Sequence, residues 1–297
     1  MSAIDHLSDE EVARFRQDGF LTVPAIADPD EVEHLRGIFD RLFQTGAGWE
    51  KGAQFDLAGT DDNGRPAALP QILNPAQFAP ELSQARFRAK ALAIAQQLLG
   101  TETQLWFEHA ILKPAHYGAA TPWHQDEAHR DDPGTDYEQI SIWVPLQEAN
   151  VANGCMRYIA GSHLGPILEH RSPNNDPRIT ALECIGPFDP ASATTCPLAP
   201  GGAAIHHCRT LHAAGENHSS MPRRAYILAF RGPVRPNLEF RGYAWNITKR
   251  TAAQERKEAW ENRGGALGRT SRRVAATLNQ TIKRVRGRVG RLVRREK

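Results

Sequence analysis

The sequence predicts a mainly β domain with flanking helices, in which the strands form an antiparallel sandwich or barrel. The chain has 297 residues, of which 40% are hydrophobic, so it is long enough to bury a large core. Between residues 103 and 235, short apolar runs are separated by turn residues, without long helices between them. The predicted strands are Gln104–Leu112, Gln139–Pro145, Met156–Ile159, Ala203–His206 and Ala225–Phe230.

The sequence of the N-terminal region predicts two helices separated by a short strand, and then a third helix. Ser8 and Glu11 have the spacing of a capping box, which predicts the start of the first helix. The short strand is expected at residues 20–24 and the third helix at residues 81–99. Residues 46–80 are rich in Gly, Asp and Pro, so we expect a loop there.

Net charge is distributed unevenly along the chain. Residues 263–297 contain twelve Lys or Arg and one acid, so they carry about +11, whereas the whole chain carries +2. Residues 1–262 therefore carry about −9. Phosphate neutralisation dominates affinity for nucleic acids, so an acidic body argues against a nucleic-acid partner.

We interpret residues 1–255 as one domain with a β core over about 103–235, and residues 256–297 as a basic, partly helical tail. Three interpretations of the tail stay open: a helix packed on the body or a partner, a helix on an anionic membrane surface, or a solvated cationic segment. Its apolar residues have helical spacing, at Val274, Leu278, Ile282, Val285, Val289 and Leu292.

The cysteine pattern and the N-terminus predict a cytoplasmic protein. The N-terminal residues are polar and acidic and lack the apolar stretch of a secretory signal, and no apolar run has transmembrane length. The cysteines are scattered without a C-x-x-C pair, which favours reduced thiols over a disulfide framework. They are Cys155, Cys184, Cys196 and Cys208.

His124 and Asp126 form the first element of a candidate metal site. In a strand, residues two apart point to the same face, so both side chains can reach one ion. The triplet alone is weak evidence, since a surface ion pair explains most such pairs. A ferrous oxygenase also needs a second His and open coordination positions for its reactants.

The candidates for the third ligand are clustered late in the chain. His212 follows a predicted strand and precedes a turn, and Arg223 enters the next strand eleven residues later. An Arg in that place can hold the far carboxylate of a dicarboxylate whose keto-acid end chelates the metal. His206 or His207 stays open as the alternative ligand, and with Cys208 they also suggest zinc. Adjacent strand residues point in opposite directions, so these three cannot all bind one ion.

Several motifs follow one another along the chain: Phe15–Leu21, Lys113-Pro114, His124-Gln125-Asp126, Asn153-Gly154-Cys155, Gly161-Ser162-His163, Leu211-His212 through Asn217, and Arg223. In this order they resemble the phytanoyl-CoA dioxygenase family over about residues 8–232. The resemblance implies a double-stranded β-helix (jelly roll, cupin-like) fold, Fe(II), 2-oxoglutarate as cosubstrate and O2. It also implies oxidation of a C–H bond of a small-molecule substrate, with release of succinate and CO2.

The resemblance also assigns individual roles. His124, Asp126 and His212 match the catalytic metal-binding triad, and Arg223 matches the residue that binds the 2-oxoglutarate carboxylate. Trp143 falls where the family often places a side chain against the cosubstrate.

One departure from the family pattern follows the second His. Many members have a Ser there, but this chain has Ala213-Ala214, so Arg223 is expected to bear more of the carboxylate binding. The presence of Asp126 disfavours halogenation, because related halogenases replace this ligand with a small residue. Two alternatives to a hydroxylase stay open: a catalytically silent jelly-roll binding protein, and a metal-dependent cupin-like enzyme that does not use 2-oxoglutarate.

Overall fold

A computed structural model describes residues 6–61 and 64–263. The helices are α1 (Asp9–Asp18), α2 (Pro29–Gln44), α3 (Arg86–Leu99), α4 (Ala244–Ile247) and α5 (Ala252–Arg263). The strands are β1 (Phe20–Val23), β2 (Gln54–Asp56), β3 (Pro70–Leu73), β4 (Gln104–Lys113), β5 (Thr121–His124), β6 (Thr135–Asp136), β7 (Gln139–Pro145), β8 (Met156–Tyr158), β9 (His170–Arg171), β10 (Glu183–Cys184), β11 (Thr194–Cys196), β12 (Ala203–His207), β13 (His212–Ala214), β14 (Arg223–Arg231) and β15 (Arg235–Pro236).

Two antiparallel sheets form the body of the protein. The major sheet has seven strands in the order β1-β12-β7-β14-β4-β3-β2, and the minor sheet has four in the order β11-β8-β13-β5. Two short ribbons, β9 with β10 and β6 with β15, lie outside these sheets. The predicted jelly roll is therefore confirmed as the architecture of the described residues.

The two faces of the major sheet bury different partners. Successive side chains alternate between faces, so Tyr226 and Leu228 of β14 pack with α1, α2 and α3 in one core. Ala225 and Ile227 of the same strand pack in a second core, which contains residues of the minor sheet such as Tyr158. The helices thus cover the outer face of the major sheet, and its inner face lines the space between the two sheets.

The predicted strands and the first helix are confirmed. Each predicted core strand appears within two residues of its expected ends, and the capping box of Ser8 and Glu11 starts α1. The loop prediction for residues 46–80 is wrong, because β2 and β3 lie within it and extend the major sheet next to β4. Their pairing with a long strand distant in sequence stabilises segments whose own composition favours turns.

The predicted helix over residues 81–99 begins later than expected. A 3-10 turn over Pro80–Gln84 precedes α3, which starts at Arg86. At the C-terminus, α5 runs through residue 255, and the basic tail beyond residue 263 lies outside the described residues. Among the helices of the described ranges, none combines the length and apolarity needed to cross a membrane.

Candidate metal and cosubstrate site

Three side chains converge at one end of the minor sheet. His124 ends β5 and is the direct cross-strand partner of His212, the first residue of β13. Asp126 begins a 3-10 turn just after β5. One potential ligand atom from each residue lies within 4.8 Å of the other two.

Asp126 Oδ1 faces both imidazoles. It lies 3.5 Å from His124 Nε2 and 3.4 Å from His212 Nε2. The other ring nitrogen of each His is 2.8 Å from a backbone carbonyl, Pro122 O for His124 and Thr210 O for His212. A carbonyl only accepts, so each Nδ1–H donates and each Nε2 keeps its lone pair for a metal.

The second carboxylate oxygen of Asp126 is held by other side chains. Ser141 Oγ donates to Oδ2 at 2.8 Å, and His206 Nε2 lies 3.2 Å from the same atom. A carboxylate only accepts, so His206 donates from Nε2, and its Nδ1 accepts from the Tyr158 hydroxyl at 3.1 Å. These bonds leave Oδ1 directed at the two ligand histidines.

Electrostatics favour the metal-binding forms of Asp126 and His124. Burial by itself would raise the pKa of Asp126, but His212, His124 and His206 outweigh it and hold the pKa well below its usual value. Burial and the neighbouring His212 lower the pKa of His124. The geometry therefore contains an ionised carboxylate beside a neutral imidazole at neutral pH, which are the forms that bind metals.

The alternative ligands His206 and His207 point to opposite sides of β12 and have other partners. His206 points inward from β12 but contacts Asp126 and Tyr158, whereas His207 points to the other side and its Nε2 contacts Glu138. Thus His206, His207 and Cys208 do not converge on one point, as the strand alternation predicts. His163 lies in the turn Ser162–Leu164 and contacts the backbone carbonyl of Arg16.

Arg223 is a buried cation without a counter-ion among the described residues. It is 1% exposed, and its Nε and Nη1 atoms make no hydrogen bond. Burial lowers its pKa to about 9, so it stays charged at neutral pH. Its guanidinium carbon lies 5.2 Å from the centre of the Trp143 ring. The next residue, Arg224, points to the opposite face and forms an ion pair with Asp40 of α2 at 2.6 Å.

One cavity of about 550 Å³ connects these groups. Its buried end contains the triad, Arg223 and Trp143, and its exposed end includes Trp106 (44% exposed) and Asp131. Other residues that line the cavity are Phe107, Glu127, His129, Arg130, Asp132 and Tyr137. The five predicted site residues therefore lie around a single cavity.

His109 and Lys113 lie on the same strand, β4, but differ in their relation to the cavity. His109 lines the cavity and contacts Gln71 Oε1 through Nδ1 at 3.1 Å, and burial lowers its pKa to about 4. Lys113, in contrast, is fully buried away from the cavity and donates to the carbonyl of Ala119. Ser141 could have been found from sequence, because it lies two residues before Trp143 on the same face of β7.

The residues present fit an iron ion and a dicarboxylate. Two imidazoles and one carboxylate, with the remaining directions open to a cavity, are the ligand set of non-haem Fe(II) oxygenases. The unpaired guanidinium of Arg223 in the same cavity offers a planar donor pair that matches a carboxylate.

Comparison with known proteins gives one consistent classification. The family model described as phytanoyl-CoA dioxygenase matches residues 15–225. A crystal structure of EvdO2 from Micromonospora carbonacea var. aurantiaca, complexed with 2-oxoglutarate, is 38% identical with a TM-score of 0.70, covering 82% of this chain and 99% of that one. An L-proline trans-4-hydroxylase of Streptomyces griseoviridis is 28% identical over 80% of this chain and 93% of its own.

A further relative, described as a "Probable alpha-ketoglutarate-dependent hypophosphite dioxygenase" of Stutzerimonas stutzeri, is 27% identical over 54% of this chain. The match spans only 57% of that relative's length. The family model covers more than two thirds of the present chain, and the ligand set, the cavity and the jelly roll agree with it. The chain belongs to the phytanoyl-CoA dioxygenase family of iron- and 2-oxoglutarate-dependent oxygenases.

Proposed function

We propose that the protein oxidises a C–H bond of a small organic substrate, using iron bound by His124, Asp126 and His212 and 2-oxoglutarate anchored by Arg223. One observation carries this proposal: three ligand atoms converge in the same cavity that contains a buried arginine without a counter-ion. When bound, Fe(II) with 2-oxoglutarate and O2 supplies the oxidising power, and the cosubstrate leaves as succinate and CO2.

The protein's own residues have distinct tasks in this proposal. Arg223 binds the far carboxylate of 2-oxoglutarate, and Trp143 forms the adjacent wall of the cavity. Ser141 and His206 hold Oδ2 of Asp126, so that Oδ1 is the oxygen offered to the metal. Ala214 lines the cavity where a hydroxyl would help bind the carboxylate, which leaves that work to Arg223.

The charge around the exposed end of the cavity favours a neutral or cationic substrate. Glu127, Asp131 and Asp132 line it, and Arg130 is the basic residue among them. Arg130 is itself engaged, since its guanidinium lies 3.6 Å from Glu127 and 3.8 Å from Asp132 and donates to the carbonyl of Tyr137 at 3.0 Å, so one cation offsets three carboxylates. An anionic substrate such as an acyl-CoA would meet a surplus of carboxylates here.

The first expected result is substrate-dependent turnover. With Fe(II), 2-oxoglutarate and O2, the protein should form succinate, and mass spectrometry of candidate metabolites should show the gain of one oxygen or the loss of two hydrogens. A panel with neutral, cationic and anionic members is expected to give products among the neutral or cationic ones. A metal-bound protein that never forms succinate with any member would instead favour a silent binding protein.

The second expected result concerns the metal ligands. His212→Ala should abolish tight Fe(II) binding, because two remaining ligands do not complete the site. His206→Ala should weaken binding by roughly 10- to 100-fold, as for loss of a group that orients a ligand. His207→Ala is the matched control and should leave the affinity unchanged. Anaerobic metal titration measures all three, and tight Fe(II) binding by His212→Ala would contradict the assignment.

The third expected result concerns the cosubstrate. Arg223→Leu should raise the Kd for 2-oxoglutarate roughly 30-fold or more, since losing one partner of a buried charge pair costs about 2–5 kcal/mol. Arg224→Leu changes the neighbouring residue, which pairs with Asp40 on the other face, and should leave the Kd unchanged. Calorimetric titration of the metal-loaded protein tests this. Unchanged affinity in Arg223→Leu would favour a cupin-like enzyme that does not use 2-oxoglutarate.

We also propose that the basic tail makes a peripheral, salt-sensitive contact with anionic membranes from the cytoplasmic side. The charge of residues 263–297 supports this, since each Lys or Arg near such a surface contributes about 1 kcal/mol.

The four cysteines are free thiols in the structure, in keeping with a reducing compartment.

Co-sedimentation with vesicles tests the tail. The full chain should bind anionic vesicles at low salt and be released at high salt, and a variant without residues 263–297 should not bind. Turnover of a soluble substrate should survive the deletion, because the candidate site residues all precede residue 224. Loss of stability on deletion, without vesicle binding in the full chain, would place the tail on the protein body instead.

A further inference from the structure

The segment after β14 returns across the three loops around the cavity. We call residues 243–256, which contain α4 and the start of α5, the clasp. They lie beyond residue 225, where the match to the family model ends. The clasp makes polar contacts with each of the three loops in turn.

The first contact is with the loop over residues 127–132. Trp245 Nε1 donates to the carbonyl of Ala128 at 2.9 Å, and Asn246 Nδ2 donates to the carbonyls of Ala128 and Arg130 at 2.9 and 3.1 Å. Tyr243 stacks on Trp245 and donates to Glu127 at 3.3 Å. Residues on both sides of these carbonyls line the cavity, namely Glu127, His129, Asp131 and Asp132.

The second contact is with the loop over residues 172–181. Lys249 is 7% exposed, and its ammonium lies within 3.2 Å of four oxygen atoms, which belong to Ser172, Ile179, Thr180 and Ala181. Burial lowers its pKa to about 8, so it is still an ammonium at neutral pH. Thr180, one of the four, lines the cavity.

The third contact is with residues 49–61, which comprise the short strand β2 and the turns on either side of it; we call this segment the third loop. Arg256 donates to the carbonyls of Trp49 and Gln54 at 3.0 and 2.9 Å and to Asp61 at 2.8 Å, and its guanidinium stacks on the Trp49 ring at 3.8 Å. The residue after Gln54, Phe55, lines the cavity. This loop also contacts the 172–181 loop, because Ala181 N donates to the carbonyl of Leu57.

The clasp contributes little to the apolar core. Within α4 and α5, as described, Ala253 is the buried apolar residue, and it is absent from both core clusters. Its attachments are hydrogen bonds, mostly to backbone carbonyls of loops that carry cavity residues. A segment whose only role was to close the core would instead present an apolar stripe to it.

We propose that the clasp is a specificity-determining element, which holds the three loops in one arrangement and thereby sets the shape of the substrate end of the cavity. Arg223, His124 and His212 lie on strands, whereas Asp126 begins the turn that Tyr243 and Trp245 contact. Lys249 and Arg256 contact the other two loops, so their loss should change substrate binding and leave 2-oxoglutarate binding alone. The substrate part rests on the proposed function, whereas the coupling of the loops does not.

Hydrogen exchange of the full chain tests the coupling. Lys249→Met removes the ammonium that contacts only the 172–181 loop, and Lys257→Met, an exposed lysine in α5, is the matched control. The expected result is exchange faster by roughly tenfold in all three loops of Lys249→Met, and no change in Lys257→Met. Faster exchange confined to residues 172–181 would overturn the proposal, since the loops would then be held independently.

A second variant covers the case in which Lys249→Met does not fold. Arg256→Met removes the guanidinium that reaches Trp49, Gln54 and Asp61, away from the turn of Asp126, and it should loosen the same three loops. In whichever variant folds, the Kd for 2-oxoglutarate should match the wild type, whereas the KM for substrate should rise with kcat less affected. A changed 2-oxoglutarate Kd would overturn the specificity role. Absence of any turnover in the wild type would count against the proposed function while leaving the exchange result interpretable.

Discussion

The two-residue alternation of side chains along β7, β12 and β14 is the constraint on which the site depends. On each strand, one residue packs against the helices and the next faces the cavity, as with Ile142 and Trp143. Arg224 and Arg223 show the same alternation with two identical side chains, one paired with Asp40 and the other buried beside Trp143. A register shift of one residue would exchange every such pair. The helices covering the outer face therefore also fix which groups enter the site.

The inner site contains charges that would be costly to bury on their own. An isolated arginine and an isolated carboxylate both lose hydration in the interior, and neither Arg223 nor Asp126 is placed to neutralise the other by a direct ion pair among the described contacts. In the proposed complex, the positive charges of the divalent metal and Arg223 equal the negative charges of the dicarboxylate and Asp126. The charges of the two side chains are therefore balanced once both ligands are bound. This balance gives a physical reason for a guanidinium with unused donors deep in the cavity.

Spacing alone made His124 and Asp126 a possible pair, and the resemblance to the family assigned them, His212 and Arg223 their roles. Strand alternation does not by itself place Asp126, because β5 ends at His124 and Asp126 begins a 3-10 turn. The hydrogen bonds that Ser141 and His206 make to Asp126 could not be predicted, because they join elements far apart in sequence. The strands β2 and β3 were missed for the same reason, since their stability comes from pairing with β4 and not from their own composition.

In the proposed function, the residues that bind the metal and 2-oxoglutarate lie in one part of the chain, and the segment that shapes the substrate end of the cavity lies in another. The triad, Trp143 and Arg223 all lie within the region that the family model matches, on elements of the two sheets or the turn that adjoins them. The residues that tie together the loops at the exposed end, Lys249 and Arg256 among them, lie after it. The two sequence relatives reported above are described as acting on different substrates, hypophosphite and proline. A common centre combined with loops held by a separate segment allows such variation, because the segment can change without disturbing the strands that position the candidate ligands His124 and His212.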